Sequence, residues 1–264
     1  MGSETPHDQA DVSSSNDQQT TAATNTSAPT VNTKPATRLV TIAVALAALL
    51  VGGSYYATTV PLTKAKANLL EHKLELAQEW ITFAQKIPFI KKSEIHFMTA
   101  RLERRKGNYR QMSEYLDRAQ DAGYDPEMIA RERILASAQS ADLDKARPHL
   151  SKLLADPRGD EREICEAYII GFIQFQLNDS AIQLVRAWQQ DFPGDARPHY
   201  LEGIIHKSMN VNKKAEQCYL NALKVDPKYY AAAMEIADVL LDLKNTERAL
   251  KYLKLAEEDP LLMI

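Results

Sequence analysis

The sequence predicts an all-α protein. It is read as a right-handed superhelical solenoid of helix–turn–helix repeats, preceded by a single transmembrane helix and a disordered N-terminal tail. Three observations carry this. A column of small residues recurs every 34 or 35 positions through the body of the chain. An uncharged apolar run of 18 residues, 39–56, precedes that body. The first 37 residues contain 13 Ser or Thr and no Leu, Ile, Phe, Tyr or Trp. The organisation expected is a tail over 1–37, a membrane segment over 38–60 and a repeat domain of five to six units over 61–264.

The tail cannot bury enough apolar surface to offset its chain entropy, so it is expected to be disordered. Its start, Met1-Gly2-Ser3-Glu4-Thr5-Pro6, fails as a myristoylation signal because Pro6 replaces the required Ser or Thr. The tail carries four acidic residues against Lys34, which accounts for the whole formal net charge of −3. The rest of the 264-residue chain is balanced, which removes any broad electrostatic reason to bind nucleic acid.

The run LVTIAVALAALLVGGSYY at 39–56 approaches the roughly 20 apolar residues that cross a bilayer core, and no charge appears before Lys64. Arg38 marks its near end, and Tyr55 and Tyr56 fit an aromatic belt at the far end. A 38-residue n-region argues against a cleaved signal peptide, although 39–51 has the size of an h-region and Val51-x-Gly53 would pass as a cleavage site. An uncleaved signal anchor is the preferred reading. A cleaved, secreted form is the alternative. Flanking basic residues nearly tie, Lys34 and Arg38 against Lys64, Lys66 and Lys73. Arg38 abutting the run tips the reading toward a cytoplasmic N-terminus and an extracytoplasmic repeat domain.

In the body, Ala77, Met112, Ala146, Ala181, Ala215 and Ala249 form the recurring column. Four residues on stand Ile81, Leu116, Leu150, Val185, Tyr219 and Leu253, and three further Ala84, Ala119, Leu153, Trp188, Ala222 and Ala256. Proline follows at 88, 126, 157, 193, 227 and 260. Small residues let paired helices approach, large ones fill the gaps, and Pro stops each second helix. Pro198 and Pro148 are tolerated if Asp195 and Asp144 cap their helices. Within this register, Ala215→Leu is expected to overpack a helix contact and cost about 1–3 kcal/mol. Two features depart from it. Gly171 stands two residues off, which suggests a shifted helix or a shortened turn. Segment 62–86 lacks a turn residue and reads equally as one long helix.

With Gly203, Ala215-x3-Tyr219-x2-Ala222 and Asp226-Pro227 in 196–229, and Ile236-Ala237, Leu240 and Ala249-x3-Leu253-x2-Ala256 after it, the chain resembles the tetratricopeptide repeat family. The resemblance implies a solenoid whose first helices line a concave, peptide- or protein-binding groove. It departs from the family at His199, usually Trp, and at Glu202, usually Leu. The Asn pair by which some members clamp a C-terminal carboxylate is missing. Tyr200, Leu201 and Ile204, then Met234, Glu235 and Asp238, stand at those positions. The layout of one anchor and a repeat body is shared with bacterial envelope-assembly helpers and mitochondrial import receptors, a fold-level analogy only.

In the register of that resemblance, Phe97, Arg101, Arg104 and Arg105, then Arg131, then Arg197, Tyr200 and Lys207 face the groove. Arg suits carboxylates and aromatics make rigid anchors, so the groove would fit an acidic peptide. The competing reading makes Leu102-Glu103-Arg104-Arg105-Lys106 a solvated helix end, with cations favoured by the helix dipole. The sequence favours this second reading. Charge reversal at Arg101 and Arg104 would test the two, and is expected to leave helicity intact.

No phosphate-binding loop, dinucleotide fingerprint, HExxH, GxSxG or EF-hand pattern occurs. No enzyme, metal or cofactor is therefore expected. His199 and His206 lie seven apart on one helix with no nearby third ligand, and Cys165 and Cys218 lack metal spacing. Sequons at Asn25 and Asn178 matter only on a lumenal face. The apolar end 261–264 folds back, meets a partner or marks a truncation. The function expected is a membrane-anchored protein-interaction scaffold, the alternative a self-assembling homo-oligomer at the membrane surface.

Overall fold

Among the described residues, five turns that join the two helices of a pair close the same way. At His72, Gly107, Gln176, Asn210 and Lys244 the backbone turns left-handed, with φ between 56° and 77°. The next N–H then bonds back to the carbonyl five residues earlier, as from Asn108 to Glu103 at 2.8 Å, Leu177 to Phe172 at 2.8 Å and Asn245 to Leu240 at 2.8 Å. This is the reverse-turn cap that satisfies the orphan carbonyls of a helix end. Only one of the five is a glycine. The others accept the Cβ crowding of that conformation, so most turns left no glycine signal in the sequence.

The computed structural model describes residues 44, 56, 58–140 and 142–259. The expected tail and nearly all of the expected membrane segment lie outside these. Among the described residues no strand occurs, and no helix is long and apolar enough to cross a membrane. Residues 58–60, within the expected membrane segment, are helical and run on without a break to 70; the described stretch 58–70 is termed α1.

The helices pair in sequence. After α1 come α2 (Leu74–Gln85), α3 (Lys92–Arg105), α4 (Tyr109–Asp121), α5 (Pro126–Gln139), α6 (Leu143–Ala146) and α7 (Leu150–Ala155). Then follow α8 (Glu161–Gln174), α9 (Asn178–Asp191), α10 (Arg197–Ser208), α11 (Asn212–Val225), α12 (Tyr230–Asp242) and α13 (Thr246–Ala256). The first helix of each pair is termed A and the second B. Segment 62–86 is thus a full pair, α1 and α2 joined at His72, rather than one long helix. Ala65 and Leu69 of α1 share a core with Ala77, Ile81 and Ala84 of α2.

The whole 34/35-residue column is buried: Ala77, Met112, Ala146, Ala181, Ala215 and Ala249. So are Ala84, Ala119, Leu153, Trp188, Ala222 and Ala256. Four buried clusters run along the stack, each spanning neighbouring pairs, which is how a repeat that cannot bury its own face becomes stable.

Gly171 and Gly203 do different work, which explains the two-residue offset. A Cβ on Gly203 would strike the ring of Tyr219 in its own pair, at 2.3 Å. A Cβ on Gly171 would meet the carbonyl oxygen of Ala138, in the preceding pair, at 2.0 Å. The helix is not shifted, since its closing turn residue Gln176 stands in register with Asn210.

The proline expectations divide. Asp195 accepts the N–H of Arg197 at 3.0 Å and leaves Pro198 in the first turn of α10, as expected. Asp144 does not cap. It lies inside α6, and Pro148 breaks the B helix into α6, a 3-10 turn (Arg147–His149) and α7. There the N–H of Leu150 bonds to Arg147, and the carbonyl of Ala146 takes the buried hydroxyl of Tyr168 at 2.6 Å instead. Pro126 starts α5 rather than ending α4, with Asp125 accepting from the N–H of Glu127 at 2.9 Å.

Candidate functional site: the inner face of the stack

The A helices α1, α3, α5, α8, α10 and α12 line one side of the stack. Lys66 of α1 reaches Asp160, at the start of α8, at 2.7 Å. His72, after α1, bonds Glu166 of α8 across 94 residues of sequence. Elements three pairs apart meet this way only on the inner side of a curved stack.

Between them lies a buried charge network. Glu163, fully buried at the centre, takes Arg101 at 2.5 Å, Arg104 at 2.9 Å and Arg105 at 3.1 Å. Arg101 also meets Asp160 at 3.0 Å. Arg104 is completed by Glu132 and Gln139 of α5. Glu166 binds Arg105 and Arg197, each at 2.6 Å. Burial alone would push both carboxylates up. The guanidinium groups of Arg101, Arg105 and Arg104 outweigh it and hold Glu163 well below the ordinary carboxylate range. Arg105, Arg197 and His72 do the same to Glu166. His72 itself is lowered, by burial first, with Glu166 pulling it back and Arg197 and Arg105 adding to the drop.

This geometry relocates the predicted residues. Arg101, Arg104, Arg105 and Arg197 do come together on the inner face. The solvated-helix-end reading does not hold, because Arg101 and Arg104 are buried and the Arg105 side chain is 1% exposed. Nor do these arginines stand open to a ligand, because the chain supplies their carboxylates. Phe97 is buried and stacks on Tyr124, ring centroids 4.2 Å apart. Arg131 donates to the carbonyl of Pro157 at 3.1 Å. Arg197 also meets the hydroxyl of Tyr229 at 3.1 Å and lies over the ring of Tyr200 at 5.2 Å. Lys207 stands apart, bridging to Glu235 at 2.8 Å and to Asp238 of α12.

What sequence reasoning missed is the acidic half: Glu132, Asp160, Glu163 and Glu166, with Lys66, His72 and Gln139. A signal was available. Asp160, Glu163 and Glu166 are spaced by three, a stripe along one helical face, and match Arg101, Arg104 and Arg105 two A helices earlier.

The inner face is therefore closed over α1 to α8 and more open over α10 and α12. There Tyr200 is half-buried, and Met234, one turn before Asp238, is 47% exposed. On the far side of pair one, Tyr56, Val60, Pro61, Leu76, Trp80, Phe83 and Ile87 surround an apolar hollow, with Phe83 half exposed.

The class that fold and face define is a helix-pair repeat protein. Residues 200–261 match the tetratricopeptide repeat family. The chain matches no curated protein. Among solved structures it is similar to MamA AMB-1, at 19% identity over 64% of this chain and 91% of that one, TM-score 0.41. MamA (41-end) from Desulfovibrio magneticus RS-1 is similar at 18% identity over 63% and 94%, TM-score 0.44. A further MamA protein is similar at 15% over 77% and 91%, TM-score 0.35. Nothing about function follows from likeness at this level.

Proposed function

We propose that this chain is a non-enzymatic interaction scaffold that captures a protein or peptide segment on the inner face of α10 and α12. The observation that carries this is the contrast along that face. Over α1 to α8 the face is filled by buried ion pairs, whereas on α10 and α12 half-buried Tyr200 and exposed Met234 offer apolar surface beside the paired Arg197 and Lys207. Aromatic and Met anchors ringed by charge suit a short amphipathic segment. Arg197 and Lys207 are already paired with Glu166, Glu235 and Asp238, so an acidic partner would have to compete with these carboxylates.

The same proposal places the scaffold at a membrane, through the uncharged run 39–56, with the helix pairs on the extracytoplasmic side. In support, exposed Tyr56, the last residue of that run, and exposed Phe83 line one apolar hollow beside pair one. Anchoring raises local concentration, so a weak face suffices.

The test is photo-crosslinking from position 234 in full-length protein in its native membrane, with position 110, on exposed α4, as control. A discrete adduct at 234, lost with Tyr200→Ala, is expected. Equal labelling from both positions would overturn the capture face. Extraction by alkaline carbonate would overturn the anchor. A second reading, homo-oligomerisation, rests on the exposed Leu241, Leu243 and Leu250 of the last pair. Adducts only between copies of this chain would favour it.

A further inference from the structure

The sequence offers His206 no third metal ligand, but folding brings one. On α10, Glu202 and His206 stand one turn apart on one face, and Cys218 faces them from α11. One ligand atom from each, a carboxylate oxygen, an imidazole nitrogen and the sulfur, lie within 4.8 Å of one another. We propose that Glu202, His206 and Cys218 form a binding site for a thiophilic divalent transition metal, with Zn2+ as its natural occupant and a water completing four ligands.

Three features support it independently. Nδ1 of His206 is buried and has no hydrogen-bond partner among the described residues, an anomaly that a cation bound at that nitrogen would resolve. The carboxylate of Glu202 is already oriented, one oxygen taking the amide of Gln189 at 2.9 Å, while the same amide lies 3.2 Å from Nδ1 of His199. Such outer contacts are what fix a metal ligand. The donor set of one nitrogen, one oxygen and one sulfur selects zinc or cobalt over magnesium or calcium. Tetrahedral zinc with bonds of about 2.0–2.3 Å puts its ligands roughly 3.3–3.8 Å apart. The site thus closes by an ångström or so of side-chain rotation. Without metal, burial first and then Glu202 push the Cys218 thiol up to about 12, so it is held protonated. Metal binding displaces that proton as the sulfur becomes a thiolate ligand.

The buried Cys165, in the core cluster around α8 and α9, serves as the internal control. Untagged full-length protein, freed of metal with a chelator, is titrated with Co2+. One Co2+ per chain is expected, with a near-ultraviolet sulfur-to-cobalt charge-transfer band and strong visible absorption of four-coordinate cobalt, both removed by Zn2+. Cys218→Ser should abolish the charge-transfer band and Cys165→Ser should keep it. His206→Ala should weaken binding at least tenfold, and Gln189→Ala by about 10–100-fold, with helicity unchanged. Absence of the band from the natural protein, or its survival in Cys218→Ser, would overturn the site. If Cys218→Ser does not fold, unaltered Co2+ affinity in His206→Ala overturns it instead.

Discussion

Lys66 and Asp160 lie 2.7 Å apart although two helix pairs stand between theirs in the chain. Their contact, with His72 on Glu166, joins the first pair to the fourth and turns the inner face of that region into a polar core. Of the groove residues expected from sequence, Arg101, Arg104, Arg105 and Arg197 meet in this core. They were given the wrong environment.

Glu163 should be the residue this arrangement tolerates losing least. Glu163→Ala removes the carboxylate that Arg101, Arg104 and Arg105 share, leaving three buried guanidinium groups with one negative charge fewer beside Asp160, Glu132 and Glu166. An uncompensated buried charge costs about 3–5 kcal/mol, so the midpoint of urea unfolding should fall accordingly. By the same reasoning, charge reversal at Arg101 and Arg104 faces carboxylates with carboxylates and should unfold this region. That replaces the expectation of intact helicity, and circular dichroism of the double variant decides it.

Acid should destabilise the fold in two stages. The folded-state pKa of His72, Glu163 and Glu166 is lowered in each case, so the unfolded chain binds more protons. Their contribution is complete above the unfolded values. It is lost from about pH 6.5 for His72, and more steeply below about pH 4.3 for the glutamates. Melting temperature measured from pH 8 to pH 3 should fall in that order. A rise on acidification would contradict the network.

Gly171→Ala should cost about 1–3 kcal/mol or more, because the new methyl meets the Ala138 carbonyl, a backbone atom that cannot rotate away. Gly194→Ala meets nothing within 4 Å and should change stability by less than about 0.5 kcal/mol. Denaturation of the two variants side by side separates close helix approach from a general effect of removing glycine.

Tyr168→Phe removes the hydroxyl that serves the Ala146 carbonyl where Pro148 interrupts the helix. Leaving that buried acceptor unmet should cost about 1–3 kcal/mol, read as a lowered urea midpoint.

Lys244→Gly should stabilise. Lys244 is exposed and left-handed at φ 58°, where a Cβ costs about 1–2 kcal/mol, partly offset by the greater freedom of glycine when unfolded. A net gain of about 0.5–1 kcal/mol is expected by calorimetry.

Much of the architecture was legible because repetition multiplies a weak local signal. The Ala77-to-Ala249 column is buried throughout, and its neighbouring columns are buried except at Leu150 and Leu253, which are half-buried. The turn at His72 was not legible, since a histidine gives no hint of left-handed backbone, and segment 62–86 therefore read equally as one helix. Pro148 gave a capping expectation that failed, because a single proline permits either a first turn or a break. The choice is made by Tyr168, 20 residues away, reaching the carbonyl that the break frees.

By itself, then, the sequence determined the period, the pairing of neighbouring helices and the face each buries, because these are set by residues within about 34 positions of one another. Only the tertiary structure decided what the inward-facing charges do. Whether Arg101 is solvated, open to a ligand or neutralised depends on the curvature that brings α8 beneath α3 and α1. That curvature is a sum of small packing rotations between successive pairs, written in no single motif. The same holds for Cys218, whose place beside His206 follows from how α11 folds back on α10.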